Sequence, residues 1–166
     1  IYHVHKSVLA VGPRRSLWMA RQFSSRRTDV TRLTLDHLQA QALPALLDYM
    51  YTSKLDINTN TATALHTLAR TLEMKSLQSA CRRYWMQDLS SSSMESVQIY
   101  FRHSKLLNDV LVQKAVAWCC AQNITDCRIV EMLDQFDTAF FLDLVQLAEP
   151  SEEVSLLVAV YCDMNK

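Results

Sequence analysis

Glycine is almost absent from this chain: Gly12 is the only one in 166 residues. Gly-rich phosphate loops and dinucleotide fingerprints need several glycines to bring backbone N–H groups against a phosphate, so that class of nucleotide site is excluded. With one glycine and three prolines, the many tight turns of a β-sandwich are excluded as well. Charge of one sign is also lacking. Lys and Arg number 17, as do Asp and Glu, so net charge selects no polyanionic partner. Long apolar runs are missing too. No run, Ala115 to Ala121 included, approaches the ~20 residues of a membrane helix, and no membrane partner is expected. No secretory signal pattern opens the sequence. It begins at Ile1 and not at Met, which reads as a piece of a longer protein. What remains is globular in character, with 49% apolar and 20% charged residues.

The five cysteines are Cys81, Cys119, Cys120, Cys127 and Cys162. No two have C-x-x-C spacing, which argues against a zinc knuckle or a thioredoxin-like site. Each falls in or beside an apolar helical pattern and reads as a reduced, buried thiol. Reduced thiols point to a cytoplasmic or nuclear setting.

Along the chain, Tyr2, Val4 and Lys6 alternate as in a short strand, and Val30 to Leu35 alternates with β-branched residues as a second one. Gly12-Pro13 breaks the chain between them, and Ser16 to Phe23 reads as a short helix. From Gln39 the period becomes helical through Ala42, Leu43, Leu46, Leu47 and Met50. Pro44 is tolerated only in a first turn, so this helix is expected to start near Ala40 and end around Tyr51. Ala62, Leu65, Leu68, Ala69 and Leu72 mark the next helix, then Leu77, Ala80, Cys81, Tyr84, Trp85 and Leu89. Ser90 to Ser93 is the only low-complexity run. Ser92 with Glu95 fits a capping box, which makes it a helix start and a module boundary.

Helices are expected throughout the remainder. Their faces are Val97, Tyr100 and Phe101; Leu107, Val110, Leu111, Ala115 and Trp118; Ile129, Val130 and Leu133; Phe140, Phe141, Leu144, Leu147 and Ala148; and Val154, Leu157, Val158 and Tyr161. Thr125, Asp137 and Ser151 are expected N-caps. The fold class expected is therefore mostly α, with an α+β front module containing a small sheet (1–89) and an all-α module (90–166).

Four segments in order resemble a known family. Val4-His5-Lys6-Ser7-Val8-Leu9-Ala10 is similar to the H-x-x-VLA segment of BTB/POZ domains. Ser16-Leu17-Trp18-Met19, with Phe23 behind, resembles the aromatic helix that follows it. Leu46-Leu47-Asp48-Tyr49-Met50-Tyr51-Thr52 and Leu68-Ala69-Arg70-Thr71-Leu72-Glu73-Met74, with Leu77 and Cys81, resemble two further stretches. Residues 93–166 resemble, by hydrophobic pattern, the BACK module that follows BTB in Kelch-like proteins. The resemblance implies a BTB/POZ-like fold lacking its first elements, which in the family carry much of the dimer interface. It also implies protein partners, a homo-oligomer through the BTB part, and adaptor or scaffold work, with substrate recruitment to a cullin-type ubiquitin ligase as one setting. Cullin-recruiting members place a hydrophobic-x-Glu motif shortly after the position of Phe23. Here Ser24-Ser25-Arg26-Arg27-Thr28 has no Glu and carries the opposite charge, so weak cullin binding is expected.

The candidate partner-binding residues are Trp18, Phe23, Arg26, Arg27, Tyr49 and Tyr51. Trp18 lies on a poor apolar stripe and suits an interface, whereas Trp85 and Trp118, at the centre of clear stripes, are expected in the core. Residues 1–35 carry seven Lys and Arg against Asp29 alone, leaving ten basic and sixteen acidic residues for the rest. That asymmetry is the basis of an alternative, a nucleic-acid-associated factor. It lacks aromatic interleaving, and a protein-facing or solvated surface is preferred. His3 and His5 stand two apart with no third ligand nearby in sequence, so no metal site is assigned. Nothing resembles a nucleophile elbow. No catalytic residue, no cofactor and no enzymatic activity are expected.

Overall fold

The computed structural model describes residues 2–25, 31–91, 94–122, 133, 134 and 136–166. The chain divides into two compact units, Ile1–Gln87 and Asp88–Lys166.

Unit 1 opens with α1 (Lys6–Ala10) and α2 (Leu17–Ser25), followed by α3 (His37–Thr52), α4 (Thr59–Thr71) and α5 (Lys75–Ser91), whose last turn belongs to unit 2. α4 is its centre. Every residue from Ala62 to Ala69 is buried, which the run of small side chains Ala62, Thr63, Ala64, Thr67 and Ala69 makes possible by letting neighbours approach from all sides. α4 packs on α3, and α5 supplies Leu77, Cys81 and Trp85 at i, i+4 and i+8, a single buried stripe. The caps explain where these helices begin. Asp36 accepts from the Gln39 N–H at 2.9 Å while its own N–H donates to the Gln39 side chain, and Asn58 does the same with Thr61.

Two expectations are corrected in unit 1. No strand and no sheet exist among the described residues, so the α+β front module with a small sheet does not form. Residues 2–5 and 31–36 carry no regular structure. A strand is defined by a ladder, and alternation over a few residues cannot supply the second strand that its N–H and C=O groups require. α3 starts at His37, not near Ala40, and keeps Pro44 inside. The capping box at Asp36 and burial of Ala42, Leu46 and Met50 outweigh the ~3 kcal/mol that an interior proline costs.

Unit 2 contains α6 (Met94–Leu106), α7 (Val110–Gln122), α8 (Thr138–Leu147) and α9 (Glu152–Met164), and α7 packs against the other three. Asp137 caps α8 by accepting from the Phe140 N–H at 2.7 Å, and Ser151 caps α9 from Val154. Thr125, the stripe residues Ile129 and Val130, and the Ser92 half of the proposed capping box lie outside the described residues. Phe140 meets Phe101 and Phe136 edge to face, each at 4.6 Å, and Phe141 stacks on Tyr161 at 3.8 Å.

α7 corrects a third expectation. Its buried face is Val112, Gln113, Val116, Ala117, Cys119, Cys120 and Ala121. Leu111 and Trp118, expected in the core, are 51% and 55% exposed. Buried Gln113 donates to the Ser104 carbonyl at 3.0 Å, which fixes the rotation of α7 through a polar contact that hydrophobic spacing does not register.

α4 and α6 stop in the same way. Glu73 and Asn108 adopt left-handed backbone, with φ of 55° and 51°. The next N–H groups, of Met74 and Asp109, reach back to the carbonyls of Ala69 and Ser104, each at 2.8 Å. Ser53, at the end of α3, is also left-handed.

Candidate interaction surface

The short α1 organises one face of unit 1. Its N-cap is His5, whose N–H donates to the Tyr51 hydroxyl at 2.8 Å and whose Nδ1 lies 3.1 Å from the same oxygen. Next to it, the Lys6 ammonium sits 5.7 Å from the centre of the Phe23 ring, within cation–π range. α1 thus connects the ends of α2 and α3 and holds Phe23 and Tyr51 on either side of its first turn. Tyr51 is 40% exposed and Phe23 half-buried, so both keep surface for a partner.

The other expected residues are placed separately. Trp18 is half-buried at the start of α2. Five residues before Phe23, it points some 140° away around the helix at 100° per residue. Tyr49 is half-buried and offers its carbonyl to the Arg14 guanidinium at 3.3 Å. Arg26 and Arg27 lie outside the described residues.

Ser16 ties these elements together. It is fully buried, its hydroxyl donates to the Leu72 carbonyl at 2.7 Å, and the same oxygen accepts from the Met19 N–H at 3.0 Å as the N-cap of α2. Its own N–H donates to Leu9 at 2.8 Å. One side chain and its backbone therefore join α1, α2 and the end of α4.

Sequence reasoning misses a shallow groove of about 570 Å³ between the end of α1 and the outer face of α2, lined by Arg15, Leu17, Ala20, Arg21 and Ser24. The spacing 17, 20, 21, 24 is a helix face, and small Ala20 and Ser24 between basic residues were its signal. Arg21 pairs with Glu73 across the surface, its Nη1 donating at 2.8 Å. That hydrogen bond holds the Glu73 carboxyl below the usual carboxylate range and raises the guanidinium in turn. Exposed pairs of this kind add little stability.

Charge divides with the units. Ile1–Gln87 has twelve Lys and Arg against five Asp and Glu, and Asp88–Lys166 has five against twelve. Among the described residues, no three His, Cys, Asp or Glu side chains gather as metal ligands. No helix of the described residues is long and apolar enough to cross a membrane.

The buried thiols are poor nucleophiles. Burial pushes Cys81 up to about 12 and raises Cys120 also, so neither forms thiolate near neutral pH. Cys162 is exposed, against the buried thiol expected of it, while Cys81, Cys119 and Cys120 are buried and Cys127 lies outside the described residues. Iodoacetamide at mildly alkaline pH is expected to label Cys162 at least tenfold faster than Cys81 or Cys120, read by peptide mass spectrometry. Equal rates for all three would show that the helices open on the labelling timescale.

No solved structure matches the chain. The BTB/POZ domain matches residues 1–89, which is more than half of the sequence and takes in all of α1 to α4. The family is a non-enzymatic protein–protein interaction module that also mediates homo-oligomerisation. The small surface of paired aromatic and basic side chains around α1 and α2 therefore stands on a domain of that kind: this chain belongs to the BTB/POZ family.

Proposed function

We propose that this chain is a non-catalytic adaptor or scaffold whose BTB/POZ unit provides a self-association or partner surface, with Phe23, Tyr51 and the basic face of α2 at its centre. The family match over residues 1–89 carries this reading. Unit 2 we read as BACK-like, on the strength of its hydrophobic pattern, and it supplies a second surface of opposite charge.

Substrate recruitment to a cullin-type ubiquitin ligase is one setting for such an adaptor, beside transcriptional or cytoskeletal scaffolding, and we read its cullin-scaffold binding as weak. Where cullin-recruiting relatives carry hydrophobic-x-Glu, this sequence carries Arg26 and Arg27. Guanidinium groups cannot shed their charge, and like charges facing one another across an interface can cost several kcal/mol. The chain is expected to bind a cullin N-terminal region at micromolar strength or weaker. Arg26→Ala combined with Arg27→Glu should tighten binding by about tenfold or more. Isothermal titration of both proteins is the test. Nanomolar binding by the unaltered chain, unmoved by the substitutions, would remove this reading.

The second reading, a nucleic-acid-associated factor, rests on the basic excess of unit 1. A steep fall of binding with salt is its signature, since phosphate contacts release counterions and a protein interface does not.

A further inference from the structure

Unit 2 contains a groove of about 380 Å³ where α7, the end of α8 and the start of α9 meet. We propose that it is a docking site for a basic linear segment of a partner protein, with an arginine or lysine side chain laid on the Trp118 ring between Glu149 and Glu153.

Three observations carry this. The first is the aromatic wall. Trp118 lines the groove with Ala121, Leu147 and Val154, yet stays 55% exposed. A tryptophan half in water beside an apolar hollow of this size has the composition of a binding hot spot, and its π face attracts cations. The second is charge. Glu149 and Glu153 are exposed on the rim, and among the described residues neither is in an ion pair. Glu153 is held below the usual carboxylate range by its own backbone N–H and by Ser151, so its charge persists into mildly acidic solution. Lys114 is the one cation among the groove's described lining residues, against these two carboxylates. The surrounding unit is acidic by twelve to five.

The third observation sets spacing. Leu111, 51% exposed, precedes Trp118 by seven residues and stands on the same face of α7. Seven residues rise about 10.5 Å along a helix. An extended peptide advances about 3.3 Å per residue. A segment lying along α7 with its basic residue at Trp118 therefore reaches Leu111 three residues away, which defines the occupant as a basic residue and an apolar residue in basic-x-x-apolar spacing.

The probe is a fluorescein-labelled peptide, Gly-Arg-Ser-Ser-Leu-Gly, titrated with the whole chain and followed by anisotropy. Its counterpart has glutamate in place of arginine. The arginine peptide should bind saturably and at least tenfold more tightly than the glutamate peptide. Trp118→Ala, and separately Glu149→Gln with Glu153→Gln, should each weaken it by about tenfold while the thermal midpoint stays unchanged. Trp118 is exposed and the carboxylates are on the rim, so neither variant touches the core. Absence of saturation up to millimolar chain, equal binding of the two peptides, or binding indifferent to both variants would overturn the proposal.

Discussion

Trp85→Ala is expected to lower the unfolding free energy by about 3–5 kcal/mol, and Trp118→Ala by less than about 1 kcal/mol. Both tryptophans sit on helices with apolar neighbours, and hydrophobic spacing alone treats them alike. Their surroundings differ. Trp85 is 1% exposed, and its ring stands edge-on to His66 at 4.5 Å in the centre of unit 1. Truncation there removes a large transfer term and leaves a cavity that close-packed neighbours cannot collapse. One feature of the site moderates the loss: the buried Trp85 Nε1 has no hydrogen-bond acceptor among the described residues, and deleting it removes an uncompensated desolvation penalty. The net stays large because the ring is large. Trp118 already has more than half its surface in water, and alanine is a better helix former. Urea unfolding of the two variants against the unaltered chain, followed by far-UV circular dichroism, separates them. Equal losses would mean that α7 turns its Trp118 face inward.

Ser16→Ala is expected to cost about 2–3 kcal/mol, far more than a serine on the surface. The hydroxyl does two things at once. As N-cap of α2 it satisfies the Met19 N–H, worth about 1 kcal/mol. As a donor it satisfies the Leu72 carbonyl at the end of α4, in a place water does not reach. Alanine leaves that buried carbonyl with only the long 3.5 Å bond from the Trp18 N–H, a penalty at the lower end of about 1–3 kcal/mol. Ser24→Ala is the control, since that hydroxyl is exposed and only back-bonds to Ala20 within its own helix. It should change stability by less than about 0.5 kcal/mol. Thermal melts of the two variants measure the difference, and a Ser16→Ala melt matching that of Ser24→Ala would show that the junction of α1, α2 and α4 is solvated.

The parts of this architecture that were legible in the sequence are those governed by local rules. α4 and α5 announce themselves by strict spacing of Leu65, Leu68, Leu72, Leu77, Cys81 and Trp85, all buried. The caps at Asp137 and Ser151 follow from residue type, because a short polar side chain beside free N–H groups has one good use there. The rotation of α7 was not legible. Val110, Leu111, Val112, Val116, Ala117, Trp118, Cys119 and Cys120 surround the helix, so two opposite faces both satisfy a helical period. The choice between them is made by Gln113, through a partner on another helix. The strands failed for a related reason: pairing is a property of two segments, and alternation describes one. The groove at Trp118 was invisible in principle, because Glu149 and Glu153 stand more than thirty positions away from Trp118 and meet it only in space. Of the surface residues chosen from the sequence, Phe23 and Tyr51 are brought to one helix turn, while Trp18 and Tyr49 are not.

The three helix stops written without glycine also bear on how the protein can be handled. Ser53, Glu73 and Asn108 each hold a left-handed backbone that an L side chain resists by roughly 1 kcal/mol, asparagine least of the three. None lies in the core. Unclaimed stability is therefore stored at helix ends, outside the core. An engineer wanting a sturdier version for crystallisation or display could exchange Ser53 for glycine, whereas the same change at Glu73 would release Arg21 on the basic face of α2.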